Sequence, residues 1–373
     1  MKPRPLLILC FSALCLLITA ETGQSETDIV LAAAGDILLS RLPAKRLLAS
    51  SDENFPFSRT RDFFLDADIA FANLECPVSD RGKPYPGKPE NITFRAPLKA
   101  VQALGNSGLN IVSLANNHFN DYGIDAMLDT MQRLETAGIQ YCGAGKYLEE
   151  AHRPKIITVK GVRFAFLGYA EPVWSTRQAQ AWTPYWRITR TELALHPSCA
   201  ESTVLFPASF AGMSDMERML GDIHRIRGNN YADFIVVSIH WGIEHATKPQ
   251  AWQVKLAHAA VDAGADCILG HHPHVLQSIE IYKDKPVLYS MGNFVFDMAA
   301  DATYQSAIFL FHLKGAKFSQ LEIIPVTISR SDYTPAPADK AGAALILSNL
   351  QSYSANFKTT IQIKDKRGYI SKP

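Results

Sequence analysis

The fold is read most directly from Cys267-Ile268-Leu269-Gly270-His271-His272-Pro273-His274. A short apolar run meets a glycine and then three imidazoles within four residues. An apolar run this short, with no 3.6-residue period, reads as a buried strand. Imidazoles placed directly after such a strand have few structural excuses, because His is the commonest metal ligand. The stretch points to a metal or catalytic site at the carboxyl end of a strand.

Four more apolar runs end the same way. Asp28 to Ala34 ends in Gly35-Asp36, Ile69 to Asn73 in Leu74-Glu75, and Asn110 to Ala115 in Asn116-Asn117-His118. Phe234 to Ile239 ends in His240-Trp241-Gly242. Ligands of open α/β sheets bind at the carboxyl ends of strands. The groups gathered there are Asp36, Asn73, Glu75, Asn117, His118, His240, His272 and His274. Carboxylate, amide and imidazole without thiolate suit Mn, Fe or Zn at a mixed nitrogen and oxygen site. Taken singly, Gly35-Asp36 and Asn116-Asn117 are turn pairs. The repeated placement carries the argument.

Helical spacing fills the gaps. Ile124, Met127, Leu128, Met131 and Leu134 predict a helix to Thr136, closed by Gly138. Ser214 and Glu217 predict a capping box for a helix to about Arg227. Gln250 to Ala263 follows Pro249 and stops at Gly264. Strands then cluster: Ile279 to Tyr282, Pro286 to Ser290, Ser306 to Leu313 and Leu321 to Ile328. Strand–helix alternation followed by strands alone predicts a layered fold of two sheets with helices outside. The main domain spans 28–330, with a C-terminal extension over 331–373. The aromatic-rich segment 171–231 reads as a lid or as a surface excursion packed by its own tryptophans.

The chain has 373 residues, 47% hydrophobic and 20% charged, which excludes disorder and coiled coil. Lys+Arg is 37 against 36 for Asp+Glu, so no nucleic-acid partner is expected. Lys2 and Arg4 precede an apolar run from Leu6 to Leu17 that closes at Ala20. That is the pattern of a signal peptide over 1–20, with an N-terminal membrane anchor as the alternative. The expected location is the periplasm or the outer face of the envelope. Cys76, Cys142, Cys199 and Cys267 have no Cys-x-x-Cys spacing and read as buried thiols, with one bridge left open.

Seven segments carry a resemblance. They are Ala34-Gly35-Asp36-Ile37, Asn73-Leu74-Glu75-Cys76-Pro77, Phe94-Arg95-Ala96-Pro97, Leu114 to His118 with Asp121-Tyr122-Gly123, His240 to Glu244, Gly270 to His274, and Tyr289 to Phe294. In this order they resemble the CapA family of bacterial capsule and poly-γ-glutamate biosynthesis, itself similar to calcineurin-like metallophosphoesterases. The resemblance implies an α+β fold, a four-layer α/β/β/α sandwich of two mixed sheets. It implies one or two divalent ions held by Asp36, Glu75, Asn117, His240, His272 and His274. His118 matches the group that protonates the leaving group, beside Asn117 and Arg95 as catalytic residues. Asn73, Asn116, Arg95, Glu244, His271 and Asn293 are the expected substrate contacts, Glu244 with a second role of orienting His240.

Two departures matter. The phosphoesterase pattern begins Asp-x-His, whereas position 38 is Leu38. Glu75 stands where that pattern has Asp, one methylene longer, about 1.5 Å. Two function classes follow. One is an exported metal-dependent hydrolase acting on a phosphoester or envelope polymer intermediate. The other is a non-catalytic, metal-containing binder of an anionic polymer, working with other capsule-synthesis proteins.

Overall fold

The computed structural model describes residues 27–146, 148–170 and 213–372. The expected leader, Cys199 and the first part of the expected lid, 171–212, lie outside the described residues.

The first half alternates strand and helix. β1 (Asp28–Ile37) leads to α1 (Arg41–Ala49), α2 (Arg61–Leu65), β2 (Ile69–Leu74), α3 (Lys99–Asn106), β3 (Ile111–Ser113), α4 (Gly123–Thr136) and β4 (Gln140–Cys142). Then come α5 (Leu148–Ala151), β5 (Lys155–Val159), β6 (Val162–Ala170), α6 (Met213–Gly228), β7 (Phe234–His240), α7 (Ala251–Asp262) and β8 (Cys267–His271). The remainder is rich in strand: β9 (Ile279–Tyr282), β10 (Lys285–Leu288), β11 (Asn293–Val295), β12 (Gln305–Lys314), β13 (Lys317–Ile328) and β14 (Pro335–Pro337). α8 (Lys340–Ser354), β15 (Gln362–Lys364) and β16 (Arg367–Ser371) close the chain.

Ten strands form one sheet in the order β15-β16-β13-β12-β1-β2-β3-β4, with β11 beside β1 and β14 beside β13. Six form the other, β5-β6-β7-β8-β10-β9. Both sheets are mixed: β1 to β4 are parallel while β12 runs antiparallel to β1.

The period of two along β1 explains the layering. Leu31 and Ala33 face the core between the sheets, where Phe71 stacks on Phe166 at 5.9 Å. Ala32 and Ala34 face the opposite core, under α3 and α4. β7 splits likewise, Val236 inward and Ile235 and Val237 toward α6 and α7. The result is an α+β sandwich of four layers, α/β/β/α, as expected.

Local signals act as read at two helices. α4 buries Met127, Met131 and Leu134 and stops before Gly138 at φ 76°. Ahead of α7, the Gln250 N–H donates to Gln253 Oε1 at 2.8 Å. α6 is described over Met213–Gly228, and the expected side-chain cap at Ser214 lies outside the described residues. The segment 331–373 is built into the first sheet, since β14 and β16 both pair with β13. α8 buries Ala343, Ile346, Leu347 and Leu350 in the inter-sheet core.

Candidate metal centre

Strand ends from both sheets meet at one point. Asp36 is the penultimate residue of β1, Glu75 follows β2, and Asn117 and His118 follow β3. From the second sheet, His240 ends β7 and His271 ends β8. The chain turns sharply after β8, with His272 at φ 96° and His274 at φ 58°. Left-handed backbone at non-glycine residues is strained and marks functional sites. Gly35 allows the close approach of β11: a Cβ there would lie 1.9 Å from the Gly292 carbonyl oxygen. In that space the Asp36 N–H donates to Gly292 O at 2.9 Å, and Asp36 pairs with both Asn73 and Asn293.

Three ligand atoms surround one nitrogen. His240 Nε2 lies 2.9 Å from Asn117 Oδ1, 3.2 Å from His272 Nδ1 and 3.6 Å from Glu75 Oε1. Atoms bound at about 2.1 Å to a shared ion lie roughly 3.0–3.5 Å apart, so these spacings suit a common cation. A second group shares Glu75. Asp36, Glu75 and His274 each bring one ligand atom within 4.8 Å of the others. His274 Nε2 is 3.8 Å from Glu75 Oε1.

Glu75 tests the fit. Both its carboxylate oxygens are buried and lack a hydrogen-bond partner. Burial, then the nearby carboxylates of Asp36, Glu244 and Asp121, push its carboxyl well above the usual range. Burial holds His240 well below its ordinary value and His272 down to about 3, so both rings are neutral donors. A bare buried carboxylate among neutral imidazoles fits a divalent cation. Asp36 stays ionised. Burial opposes its charge, but hydrogen bonds from His271 and His274 outweigh that and hold it well below the usual range. Leu38 packs in the core under the helices, so the Asp36 group keeps one imidazole, His274.

Several expected substrate contacts are instead the scaffold of this cluster. Asn73 Nδ2 donates to Asp36 Oδ1 at 2.9 Å, so Asn73 holds Asp36. Asn116 Nδ2 donates to Asn73 Oδ1 at 3.1 Å and to Leu74 O at 2.8 Å, and Asn116 Oδ1 accepts from the His118 N–H. His271 Nδ1 lies 3.0 Å from Asp36 Oδ1, wholly buried. Asn293 Oδ1 lies 2.9 Å from His274 Nδ1, which directs His274 Nε2 toward Glu75. Two residues do not join the cluster. The Arg95 guanidinium lies 4.1 Å over the Tyr122 ring and donates to Arg81 O. Glu244 is exposed and, among the described residues, has no bond to His240; its charge acts on Glu75 from a distance.

Sequence reasoning quoted Asp121 in a motif without giving it a role, and missed Lys88 and Arg41. Asp121 Oδ2 lies 2.9 Å from His118 Nδ1 and accepts from the Phe94 N–H. Lys88 Nζ, buried, donates to Asp121 Oδ1 and sits 3.2 Å from His118 Nδ1. Burial pushes Lys88 down to about 8 and Asp121 up to about 7. Burial and then the Lys88 cation hold His118 well below its ordinary value. The three-residue step from His118 to Asp121 was a legible signal, one turn of chain. Lys88, between Gly87 and Pro89, reads as a surface turn and gave none. The guanidinium of Arg41 lies 4.6 Å over Phe94, whose ring stacks on His118 at 4.1 Å.

A family model described as bacterial capsule synthesis protein PGA_cap matches residues 30–298. The chain belongs to the PGA_cap family. The matched range contains every cluster residue from Asp36 to Asn293. Among PGA_cap-like relatives, the capsule biosynthesis protein CapA of Bacillus anthracis is 32% identical over 319 residues, 85% of this chain and 71% of its own. The PGA biosynthesis protein CapA of Bacillus subtilis is 32% identical over 326 residues, 86% and 78%. A solved structure described as a novel phosphatase from Mycoplasma pneumoniae aligns with TM-score 0.47 at 11% identity, over 87% of this chain and 99% of that one.

Proposed function

We propose that this PGA_cap protein is a metal-dependent hydrolase of capsule or poly-γ-glutamate biosynthesis, acting on a phosphoester or an envelope polymer intermediate outside the cytoplasmic membrane. The observation that carries the reading is Glu75, whose two oxygens stand unpartnered where both ligand groups meet. Asn117, His240, His272 and Glu75 would hold one divalent ion of the Mn, Fe or Zn class. Asp36, His274 and Glu75 would hold a second, more weakly for want of a nitrogen at position 38. A divalent ion so bound supplies Lewis acidity and a nucleophilic water near neutral pH.

The chain's own groups supply the proton chemistry. Asp121 takes the Nδ1–H of His118, leaving Nε2 as the atom that exchanges a proton with a leaving-group oxygen. Resting His118 is neutral, and an anionic substrate beside it raises its proton affinity for that delivery. One observation favours the second reading, a polymer binder without turnover: Leu38 removes a nitrogen ligand. The test is elemental analysis of chain purified without chelator, alongside H272A and E75A variants, with hydrolysis of a phosphodiester followed in parallel. One to two ions per wild-type chain, lost in both variants, with metal-dependent turnover abolished in His118→Ala, supports the hydrolase. Metal without turnover on any phosphoester or polymer favours the binder. No metal after Mn or Zn is supplied overturns both.

A further inference from the structure

We propose that Arg41 and Lys45, on one face of α1, form an oxyanion subsite beside the metal centre. The subsite takes a carboxylate or phosphate of the substrate next to the group engaged by the cluster. The proposal rests on the metal-centre reading and adds the chemistry of the substrate flank.

The placement of Arg41 comes first. Its guanidinium lies 4.6 Å from the Phe94 ring and 5.7 Å from the Phe296 ring. Phe94 stacks on His118 at 4.1 Å, and Phe296 lies 4.6 Å from His274. The cation is therefore one ring removed from the proton-transfer group and one ring removed from a metal ligand.

Arg41 is also held in an uncommon way. Its φ is 49°, a left-handed conformation that a non-glycine residue adopts only when the surroundings fix it. Asp297 does the fixing. It accepts from Arg41 Nε at 3.0 Å and from Nη2, while its other oxygen accepts from the Leu42 N–H at 3.1 Å. Nη1 donates to Asn91 O at 3.3 Å, which leaves one Nη1 hydrogen with no partner among the described residues. The Arg41 side chain is 30% exposed and that of Asp297 only 4%. A ligand arriving from solvent meets the cation before its counter-ion.

Lys45 extends the feature. It lies four residues on, about 6 Å along the same helix face. It is exposed and has no ion pair among the described residues. Arg41 and Lys45 line a cavity of about 510 Å³ with Leu42, Glu90 and Asn91. A planar guanidinium with one unpartnered hydrogen and an exposed ammonium beside it suit an oxyanion. Glu90 on the same wall disfavours a dense cluster of negative charge and suits one anionic group per site.

The experiment uses the full, metal-supplied chain. Affinity for a fluorescent oligomer of glutamate joined through its side-chain carboxyl is measured by anisotropy, and inorganic phosphate is titrated separately. Lys45→Glu is expected to weaken one probe about tenfold, with metal content and melting temperature unchanged. Arg41→Met is expected to weaken the same probe at least as much. Weakening of the oligomer alone identifies a polymer carboxylate; weakening of phosphate alone identifies a phosphoester. Unchanged affinity for both probes in Lys45→Glu, or no binding of either probe by wild type, overturns the subsite. A charge effect at Lys45 in a chain that binds no metal keeps the subsite and overturns the metal-centre reading.

Discussion

Glu75 and Lys88 are both buried ionisable groups, and they behave in opposite ways. Glu75 lacks a hydrogen-bond partner for either oxygen, so without metal it is a burden on the fold. Glu75→Gln keeps the shape and removes the ionisable carboxyl. The metal-free variant should melt above metal-free wild type, whereas added Mn or Zn should raise the melting temperature of wild type alone; calorimetry with and without metal checks both. Lys88 is paired with Asp121, so Lys88→Met takes the ammonium away from a buried carboxylate. That should cost about 3–5 kcal/mol in urea unfolding. The double variant Lys88→Met/Asp121→Asn should recover more than half of the loss. The ligand types at strand ends were legible because buried strands make polar residues conspicuous. Lys88 was not, because nothing in a Gly-Lys-Pro turn marks an ammonium that the fold later encloses.

Strands and helices reach the centre through close backbone crossings. A Cβ on Gly270 would lie 2.0 Å from the Tyr289 carbonyl oxygen, much as at Gly35. Gly35→Ala or Gly270→Ala should therefore give insoluble protein, measured as soluble yield, while Gly105→Ala, in α3 with open space around it, should stay soluble. β5 and β6 were absent from the sequence reading although Lys160-Gly161, at φ 48° and 84°, is the two-residue hairpin turn that signals them. Asp222 of α6 ties that helix to β6 and to the end of α5. It lies 2.6 Å from His152 Nδ1 and accepts from Tyr169 Oη at 2.9 Å and from Arg225. Burial opposes its charge, but those partners outweigh burial and hold the carboxyl below its usual 3.8. With the folded value below the unfolded one, its stabilisation is complete above pH 3.8 and is lost as pH falls through the folded value. Asp222→Asn should be less stable than wild type at pH 6 and should lose less on acidification from pH 4 to 3, read by thermal melts.

At the scale of the molecule, the family match stops at 298 but the fold does not. β12 pairs with β1 from Asp28 to Ala33, and β13 with β12 across its length. A chain ending at Met298 would leave β1 with an open edge and the inter-sheet core without Phe309, Phe311, Leu321 and Ile323. It should form no soluble monomer by size-exclusion chromatography. The two-sheet layering was legible from the change of alternating strand and helix into strands alone. The inclusion of 331–373 in the sheet was not, because β15 and β16 are short and mostly exposed and carry little apolar pattern. The layering also sorts the thiols. Cys76 lies in the core under the helices, and Cys142 and Cys267 lie between the sheets, all three free. Burial pushes Cys76 and Cys142 up to about 12 and Cys267 well above its ordinary value, so none alkylates while its layer stays closed. In a chain whose other cysteines are replaced, each thiol is thus a built-in clock for the opening of its own layer, and comparing their labelling rates would show whether the two sheets part before the helices lift.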